Sequence, residues 1–265
     1  MTRLAVIGAG VMGEALVSGL LRAGWSSDAI VVADRRDFRR AEMTAAHGVR
    51  ATGNAEAAAE ADTVILVVKP QDVGAVLPEI APVLRPGTLV VSLCAGVTTA
   101  QLEGHLPEGT AVVRVMPNTP ALVGEGMAAV SAGTTASEAD VAHAMELMTA
   151  LGKAITVPEA YQDAVTAISG SGPAYLFFVV EAMIDAGVLL GLPRDISSTL
   201  VQQTVFGSAK LLVESGQHPT VLREQVTSPG GTTAAALRQL EDHKVKAAFL
   251  TAMEAARDRS RALAG

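Results

Sequence analysis

The sequence has one cysteine, few aromatic residues and no excess of basic residues. Cys94 stands alone among 265 residues, which excludes an internal disulfide framework and a cysteine-rich metal site. The five histidines show no metal-binding spacing such as HExxH, so we expect no metal. Aromatic residues make up 3% of the chain and the formal net charge is −7, and both values argue against nucleic acid as a partner.

Long hydrophobic runs are scarce, although hydrophobic residues make up 49% of the chain. Many of these residues are alanines, and the longest apolar runs, such as Ala174 to Val180, are too short to span a bilayer. No charged and then apolar leader precedes the first apolar stretch at Leu4. We therefore expect a cytoplasmic protein without a membrane partner, long enough for one large domain or two modest ones.

The chain opens on a glycine motif. Four apolar residues lead into Gly8-x-Gly10-x-x-Gly13, and a helical pattern follows. Gly8 permits a sharp turn, Gly10 leaves room for a pyrophosphate beside the backbone, and Gly13 lets the helix pack closely on the strand. The free N–H groups of that helix would face the phosphates. The motif predicts a dinucleotide-binding loop, against the alternative of a glycine-rich turn in another α/β unit, with contacts from Gly8, Ala9, Gly10, Val11, Met12 and Gly13.

The second strand, Ile30 to Ala33, bears on the choice of cofactor. It ends at Asp34, where a Rossmann fold places the residue that contacts the ribose, and an acidic residue there suggests NAD. Arg35 and Arg36 follow directly, and a guanidinium pairs well with a 2′-phosphate dianion. We predict NADPH with Arg35 as a contact, while Asp34 keeps NADH open. The arginines also fit a solvated helix face.

Strand and helix patterns alternate through the first half of the chain. Continuous apolar strands such as Thr63 to Val68 are typical of a parallel sheet covered on both faces. Asn54 is positioned to cap the short alanine-rich helix after Gly53. The alternation ends at Pro158, so we predict a Rossmann-type doubly wound sheet, an NAD(P)-binding domain of the α/β class, over residues 1–158.

Two of these strands end in residues that an open α/β sheet would place at its ligand crevice. Lys69 follows the strand Thr63 to Val68 and is a candidate cofactor or substrate contact, although a surface lysine fits the position nearly as well. The strand Thr88 to Leu93 is followed by Cys94-Ala95-Gly96. We interpret Cys94 as a small filler rather than a nucleophile, because no basic neighbour is visible that would lower its pKa.

Helical patterns follow one another from residue 159 to residue 265, which predicts an all-helical domain. The segment from Ser169 to Pro173 is predicted to break the first of these helices, and Pro173 suits the first turn of the next. That next helix is apolar around its whole circumference, for example over Leu176 to Val180, so it needs cover on all sides. We therefore predict an intertwined homodimer that buries these faces.

A second anion-binding pattern lies in the helical half. The turn Ser228-Pro229-Gly230-Gly231 precedes a helix that Thr232 and Thr233 open. Glycine N–H groups, two hydroxyls and a helix N-terminus suit an anion, and the segment is the right size for a carboxylate. An ordinary helix cap would need only one of the two threonines.

Five motifs in order along nearly the full chain resemble one family. They are IGAGVMG, VVKP (Val67 to Pro70), RVMPNTPA (Arg114 to Ala121), SGSGPAY (Ser169 to Tyr175) and QVTSPGGTT (Gln225 to Thr233). The combination resembles pyrroline-5-carboxylate reductases. The resemblance implies NAD(P)H-dependent reduction of 1-pyrroline-5-carboxylate, a small cyclic imino acid, to L-proline in the last step of proline biosynthesis. It also implies a helical domain that forms a homodimer, often as five dimers in a decamer.

The resemblance assigns site residues. Asn54 corresponds to the family residue near the 2′-phosphate, and the nicotinamide-side cofactor contacts correspond to Val68, Lys69, Pro70, Ala95 and Gly96. Its proline site corresponds to Glu159, Thr232 and Thr233. With the turn before the helix included, the predicted substrate-binding set is Glu159, Ser228, Gly230, Gly231, Thr232 and Thr233.

The chemistry suggested by these residues is positioning rather than strong acid catalysis. An imine nitrogen is already basic, so it needs a hydrogen-bonding partner and correct placement. We hypothesise that the amides from Gly231 to Thr233 hold the carboxylate and that the Thr233 hydroxyl, the predicted catalytic group, orients the ring nitrogen or relays a proton to it.

Two other functions fit the sequence less well. A β-hydroxyacid dehydrogenase removes a proton from an alcohol and would need a lysine as the base on the helix after a glycine-rich turn. After SGSG, however, no lysine occurs until Lys210. A non-catalytic NADP-sensing protein would be expected to lose the hydroxyls and glycines between Ser228 and Thr233, and all are present.

Overall fold

The computed structural model describes residues 3–264, which fall into two compact units. The first unit runs to Ser171 and also takes in the C-terminal residues from Ala256, and the second comprises Gly172–Ala255. The boundary between the units falls after Ser171, whereas the sequence predicts it after Pro158. The first helical residues, from Glu159 to Gly170, therefore belong to the first unit.

The first unit carries one mixed sheet. Its strands are β1 (Leu4–Ile7), β2 (Ile30–Ala33), β3 (Arg50–Thr52), β4 (Thr63–Leu66), β5 (Leu89–Ser92), β6 (Ala111–Met116), β7 (Gly126–Ala132) and β8 (Gly152–Thr156). The helices between them are α1 (Val11–Arg22), α2 (Asp37–His47), α3 (Asn54–Glu60), α4 (Val73–Ile80), α5 (Thr99–Glu103) and α6 (Glu138–Thr149).

The strand order is β3-β2-β1-β4-β5-β6-β7-β8, which is the doubly wound arrangement predicted from the alternating pattern. Neighbouring strands are parallel except for β6 and β7, which are antiparallel and place Arg114 opposite Ser131. The short strand β3 was not predicted, because it has only three residues and its first, Arg50, is exposed.

Two apolar layers cover the sheet. Successive side chains of a strand point to opposite faces, so Leu4 and Val6 pack in one layer while Ala5 and Ile7 pack in the other. One layer includes the buried faces of α1 and α6, and the other those of α3, α4 and α5. Because both faces are covered, the carboxyl ends of the parallel strands remain as the place where a ligand can reach the backbone.

The chain after β8 is helical, as predicted. The segments are a 3₁₀ turn (Glu159–Tyr161), α7 (Gln162–Val165), a π-helix (Thr166–Gly170), α8 (Gly172–Leu189), α9 (Arg194–Ser215), α10 (Pro219–Gln225), α11 (Thr232–Asp242) and α12 (Val245–Ala264). The predicted break at Ser169 to Pro173 is present but shorter than expected: the chain widens into the π-helix, with the Ser171 N–H bonded to the Thr166 carbonyl, and only Ser171 separates it from α8. Pro173 lies in the first turn of α8, as predicted.

That continuity changes the expectation about apolar length. The helical segment Glu159–Leu189 is 31 residues long, and by length and composition alone it could cross a membrane. The core helix of a soluble protein passes the same test when it is mostly buried, but this apolar stretch is 0% buried in the single chain. The expectation from the sequence rests only on short apolar runs such as Ala174 to Val180.

The second unit exposes much of its apolar surface. Helices α8 and α9 pack closely, since a Cβ at Gly187 would lie 2.1 Å from Ser197 Oγ. Away from that contact, large apolar side chains are exposed, among them Phe177, Phe178, Leu189, Leu190, Leu211 and Val213. A single chain thus leaves uncovered the faces that the sequence predicted would need a partner.

Candidate functional site

Each of the three motif glycines has a different reason to lack a side chain. Gly8 adopts φ +107, and a Cβ there would lie 2.5 Å from the Val67 carbonyl oxygen. A Cβ at Gly13 would lie 2.0 Å from the Gly8 carbonyl oxygen, so α1 could not start so close to β1. At Gly10 a Cβ would meet no protein atom within 4 Å. The loop is therefore tight at both ends and open in the middle, where a phosphate would approach.

A cavity of about 400 Å³ lies beside this loop. It brings together six of the predicted cofactor contacts, namely Gly8, Gly10, Arg35, Asn54, Val68 and Lys69. Pro70 and Gly96 line a neighbouring cavity of about 500 Å³ instead, while Ala9, Val11, Met12, Gly13 and Ala95 line neither of the two.

Asp34 holds the glycine loop. Its carboxylate accepts hydrogen bonds from the Ala9 N–H (3.0 Å) and, at 2.9 to 3.0 Å, from the backbone and side chain of Arg36. Burial alone would raise the pKa of Asp34, but these hydrogen bonds outweigh it and lower the pKa to about 2. The carboxylate is thus ionised and already neutralised by its neighbour.

Arg39 binds the carbonyl of the same residue, Ala9, a role that sequence reasoning missed. Its Nε donates to the Ala9 carbonyl oxygen, and its guanidinium also pairs with Glu14 of α1. His47 Nε2 lies 3.2 Å from the same Glu14 carboxylate. The sequence showed Arg39 only as one basic residue on a helix face, with no sign of a partner thirty positions away.

Arg35 and Asn54 line the cavity with acidic partners. Arg35 Nη1 lies 3.7 Å from Asp72 Oδ1, and the arginine side chain is largely exposed. The prediction that Asn54 caps α3 is wrong: Gly53 is the N-cap, and the Asn54 amide donates instead to Glu79 Oε2 at 2.9 Å. The side-chain NH2 of Asn54 therefore donates to a carboxylate on α4, and no side chain caps the first turn of α3.

Cys94 is buried just past the end of β5, and burial raises the pKa of its thiol. A thiol in that state is a poor nucleophile, in line with its interpretation as a filler. Within residues 3–264 no group of three or more His, Cys, Asp or Glu side chains is placed to hold a metal ion.

Glu159 lies in a partly buried polar cluster of the first unit. Its carboxylate accepts from the Thr99 N–H (2.8 Å) and hydroxyl (2.6 Å) and from Arg114 Nη1 (3.1 Å). Burial alone would raise the pKa of Glu159, but these bonds lower it. Both carboxylate oxygens thus already have protein partners.

The second anion-binding pattern is a helix start, as predicted. Gly230 adopts φ +67, and the Gly231 N–H bonds to the Ser228 carbonyl to close the turn. Helix α11 then begins at Thr232, with no side chain capping it. Within the described chain the hydroxyls of Thr232 and Thr233 have no hydrogen-bond partner, so the N–H groups and hydroxyls of this first turn are available to an anion.

The glycine loop, the crevice and the doubly wound sheet define a nicotinamide-dinucleotide oxidoreductase, and residues 3–96 match the family "NADP oxidoreductase coenzyme F420-dependent". Residues 159–263 match "Pyrroline-5-carboxylate reductase dimerisation". The pyrroline-5-carboxylate reductase of Corynebacterium melassecola is 45% identical over 99% of both chains. This chain belongs to the pyrroline-5-carboxylate reductase family.

Solved structures agree with the family over the whole chain. The pyrroline-5-carboxylate reductase of Coxiella burnetii is 36% identical with a TM-score of 0.94, covering 100% of this chain and 99% of its own. The pyrroline carboxylate reductase of Plasmodium falciparum, solved with NADP bound, is 33% identical with a TM-score of 0.88, covering 100% and 98%.

Proposed function

We propose that this protein reduces 1-pyrroline-5-carboxylate to L-proline with a hydride from NAD(P)H, the last step of proline biosynthesis. The observation that carries the proposal is that the chain aligns over 99% of its length with a relative of that name. Two helix starts without a side-chain cap, at Gly10 and Gly231, support it. The first start, at Gly10, serves a dinucleotide, and the second, at Gly231, serves a substrate carboxylate.

The crevice fits a nicotinamide dinucleotide. The open position at Gly10 leaves space for a pyrophosphate, and Arg35 and Lys69 supply positive charge. When bound, the reduced nicotinamide supplies the hydride. We propose NADPH as the preferred cofactor, because Asp34 is neutralised by Arg36 and the exposed Arg35 guanidinium is held only loosely by Asp72. NADH is the alternative, and the three carboxylates that line the same crevice, Asp34, Asp72 and Glu79, support it.

The remaining cofactor contacts are proposed along the glycine loop and the two strand ends. The loop contributes Gly8, Ala9, Gly10, Val11, Met12 and Gly13, and the strand ends contribute Val68, Lys69, Pro70, Ala95 and Gly96. Loop backbone N–H groups suit phosphates, whereas small residues after β5 leave room for a flat ring.

The substrate carboxylate is proposed to bind at the start of α11. The N–H groups from Gly231 to Thr233 and the neighbouring hydroxyls of Ser228 and Thr232 would hold it, and Gly230 permits the turn that aims them. Thr233 is proposed to orient the imine nitrogen or relay its proton through the side-chain hydroxyl. Glu159 is part of the proposed substrate set by family resemblance, although its carboxylate is engaged with Thr99 and Arg114.

We propose that the protein works as a cytoplasmic homodimer, with five dimers in a decamer as the larger assembly, and that it binds neither membrane nor nucleic acid. The exposed aromatic pair Phe177 and Phe178 and the match of residues 159–263 to a dimerisation family support the dimer. Mass measurement in solution across a concentration series distinguishes monomer, dimer and decamer.

The test of function is a steady-state assay of nicotinamide oxidation with 1-pyrroline-5-carboxylate and each reduced cofactor. We expect turnover with at least one cofactor and none with β-hydroxy acids in the oxidative direction. Oxidation of β-hydroxy acids would favour the dehydrogenase alternative. Tight cofactor binding without any turnover would favour the NADP sensor.

A further inference from the structure

The carboxylates that line the dinucleotide crevice differ in how they are neutralised. Asp34 is paired with Arg36 at 2.9 Å, and Asp72 lies 3.7 Å from Arg35. Glu79 lines the same cavity, yet no lysine, arginine or histidine nitrogen of residues 3–264 lies within 4 Å of its carboxylate. It is the unneutralised negative charge of this crevice in the described chain.

Glu79 also accepts a hydrogen bond from Asn54, a neutral side-chain donor that lines the same cavity. Asn54 Nδ2 donates to Glu79 Oε2 at 2.9 Å, so α3 and α4 are bridged across the cavity. An amide hydrogen given to this carboxylate is not given to a ligand. Glu79 therefore acts on an anionic ligand in two ways, through charge and through competition for a donor.

The two candidate cofactors respond differently to such a group. A 2′-phosphate carries negative charge and only accepts hydrogen bonds at neutral pH, so a nearby free carboxylate repels it. A ribose 2′-hydroxyl is neutral and donates, and a carboxylate is a good acceptor for it. The same side chain thus weakens binding of NADPH and supports binding of NADH.

We propose that Glu79 is a specificity-determining residue that lowers the protein's preference for NADPH over NADH. The inference rests on the proposed function, since it takes the crevice to hold the adenosine half of a nicotinamide dinucleotide. Arg35 attracts the 2′-phosphate, Glu79 opposes it, and the ratio of the two affinities reflects both.

The experiment compares the full-length Glu79→Gln variant with the native protein by titrating each with NADPH and with NADH. Gln keeps the shape and an acceptor for Asn54 but removes the charge. We expect the ratio of Kd for NADH to Kd for NADPH to rise by about three- to tenfold, and the rise to shrink in high salt. Glu108→Gln is the matched control, because this exposed glutamate lies outside the crevice and its removal changes net charge equally.

The outcomes separate the inference from the function. An unchanged ratio in Glu79→Gln, with both cofactors still binding, overturns the role of Glu79 and leaves the proposed function intact. An equal rise in Glu108→Gln overturns it too, because the effect would then be net charge alone. Failure of the native protein to bind either cofactor contradicts the proposed function itself. A double-mutant cycle with Asn54→Ala supports the competition part if the two effects are not additive.

Discussion

Arg114 Nη1 lies 3.1 Å from Glu159 Oε1, so a buried guanidinium inside the sheet is paired with the residue that opens the helical half of the chain. Arg114 is 4% exposed and sits within β6, and its other terminal nitrogen has no partner among residues 3–264. The same carboxylate accepts two hydrogen bonds from Thr99 at the start of α5. One side chain thus joins β6, α5 and the segment after β8.

Removing Glu159 and removing Arg114 should lower the free energy of unfolding by different amounts. Glu159→Ala leaves a buried, uncompensated guanidinium and is expected to reduce the free energy of unfolding by about 3–5 kcal/mol. Arg114→Met removes the buried charge itself and leaves Glu159 bonded to Thr99, so its cost should be smaller. Chemical denaturation at fixed protein concentration measures both. The double variant should be more stable than Glu159→Ala alone, and a double variant that is less stable would contradict the pairing.

The proposed substrate role of Glu159 is tested separately with Glu159→Gln, which keeps an acceptor for Arg114 and Thr99. Direct contact with substrate predicts a higher KM for 1-pyrroline-5-carboxylate at unchanged affinity for NADPH. A purely structural role predicts lower stability with KM unchanged.

The lowered pKa of Asp34 should make the stability of the protein depend on pH. Its pKa is about 2 in the folded protein, below the ordinary value of an aspartate, so its ionised form stabilises the fold above that ordinary value. This contribution, about 2 kcal/mol, is lost as pH falls from about 5 towards 2. Unfolding free energies across that range should fall less steeply in Asp34→Asn, which starts from a lower value. Parallel curves for the two proteins would show that Asp34 is not the group responsible.

Arg35 should help the protein to discriminate between NADPH and NADH. Arg35→Ala removes a cation from the crevice, so NADPH should bind about tenfold more weakly while NADH affinity changes little. Binding titrations in low and moderate salt provide the measurement, and the NADPH affinity of the variant should depend less on salt. Arg22→Ala, an exposed arginine on α1 outside the crevice, is the control. Equal losses for both cofactors would argue that Arg35 shapes the loop and does not contact a 2′-phosphate.

The proposed role of Thr233 is tested by the turnover rate of its variants. Thr233→Val keeps the shape of the side chain and removes the hydroxyl, so kcat should fall by about 10²-fold while the Kd for NADPH stays nearly the same. Thr233→Ser restores a hydroxyl and should recover part of the rate. Steady-state kinetics paired with cofactor titration separate the two effects. Undiminished turnover in Thr233→Val would remove Thr233 from the mechanism.

The features that the sequence predicted are those with a local cause. Glycines at positions 8, 10 and 13 and the continuous apolar strands reflect short-range geometry, and the structure confirms both. Contacts between distant positions could not be predicted, such as the Ala9 N–H with Asp34 or Arg114 with Glu159, because they depend on which strands become neighbours. The capping prediction for Asn54 was wrong for the same reason, since Glu79 is distant in sequence.

The most direct test of the account follows the hydride itself. The protein is incubated with 1-pyrroline-5-carboxylate and NADPH deuterated at nicotinamide C4 on the transferred face, and the product is analysed by mass spectrometry and chiral chromatography. We predict L-proline carrying one deuterium at C5, because the hydride is delivered to the imine carbon. Absence of proline, or proline without the label in the presence of consumed cofactor, would contradict the assignment of this chain as a pyrroline-5-carboxylate reductase.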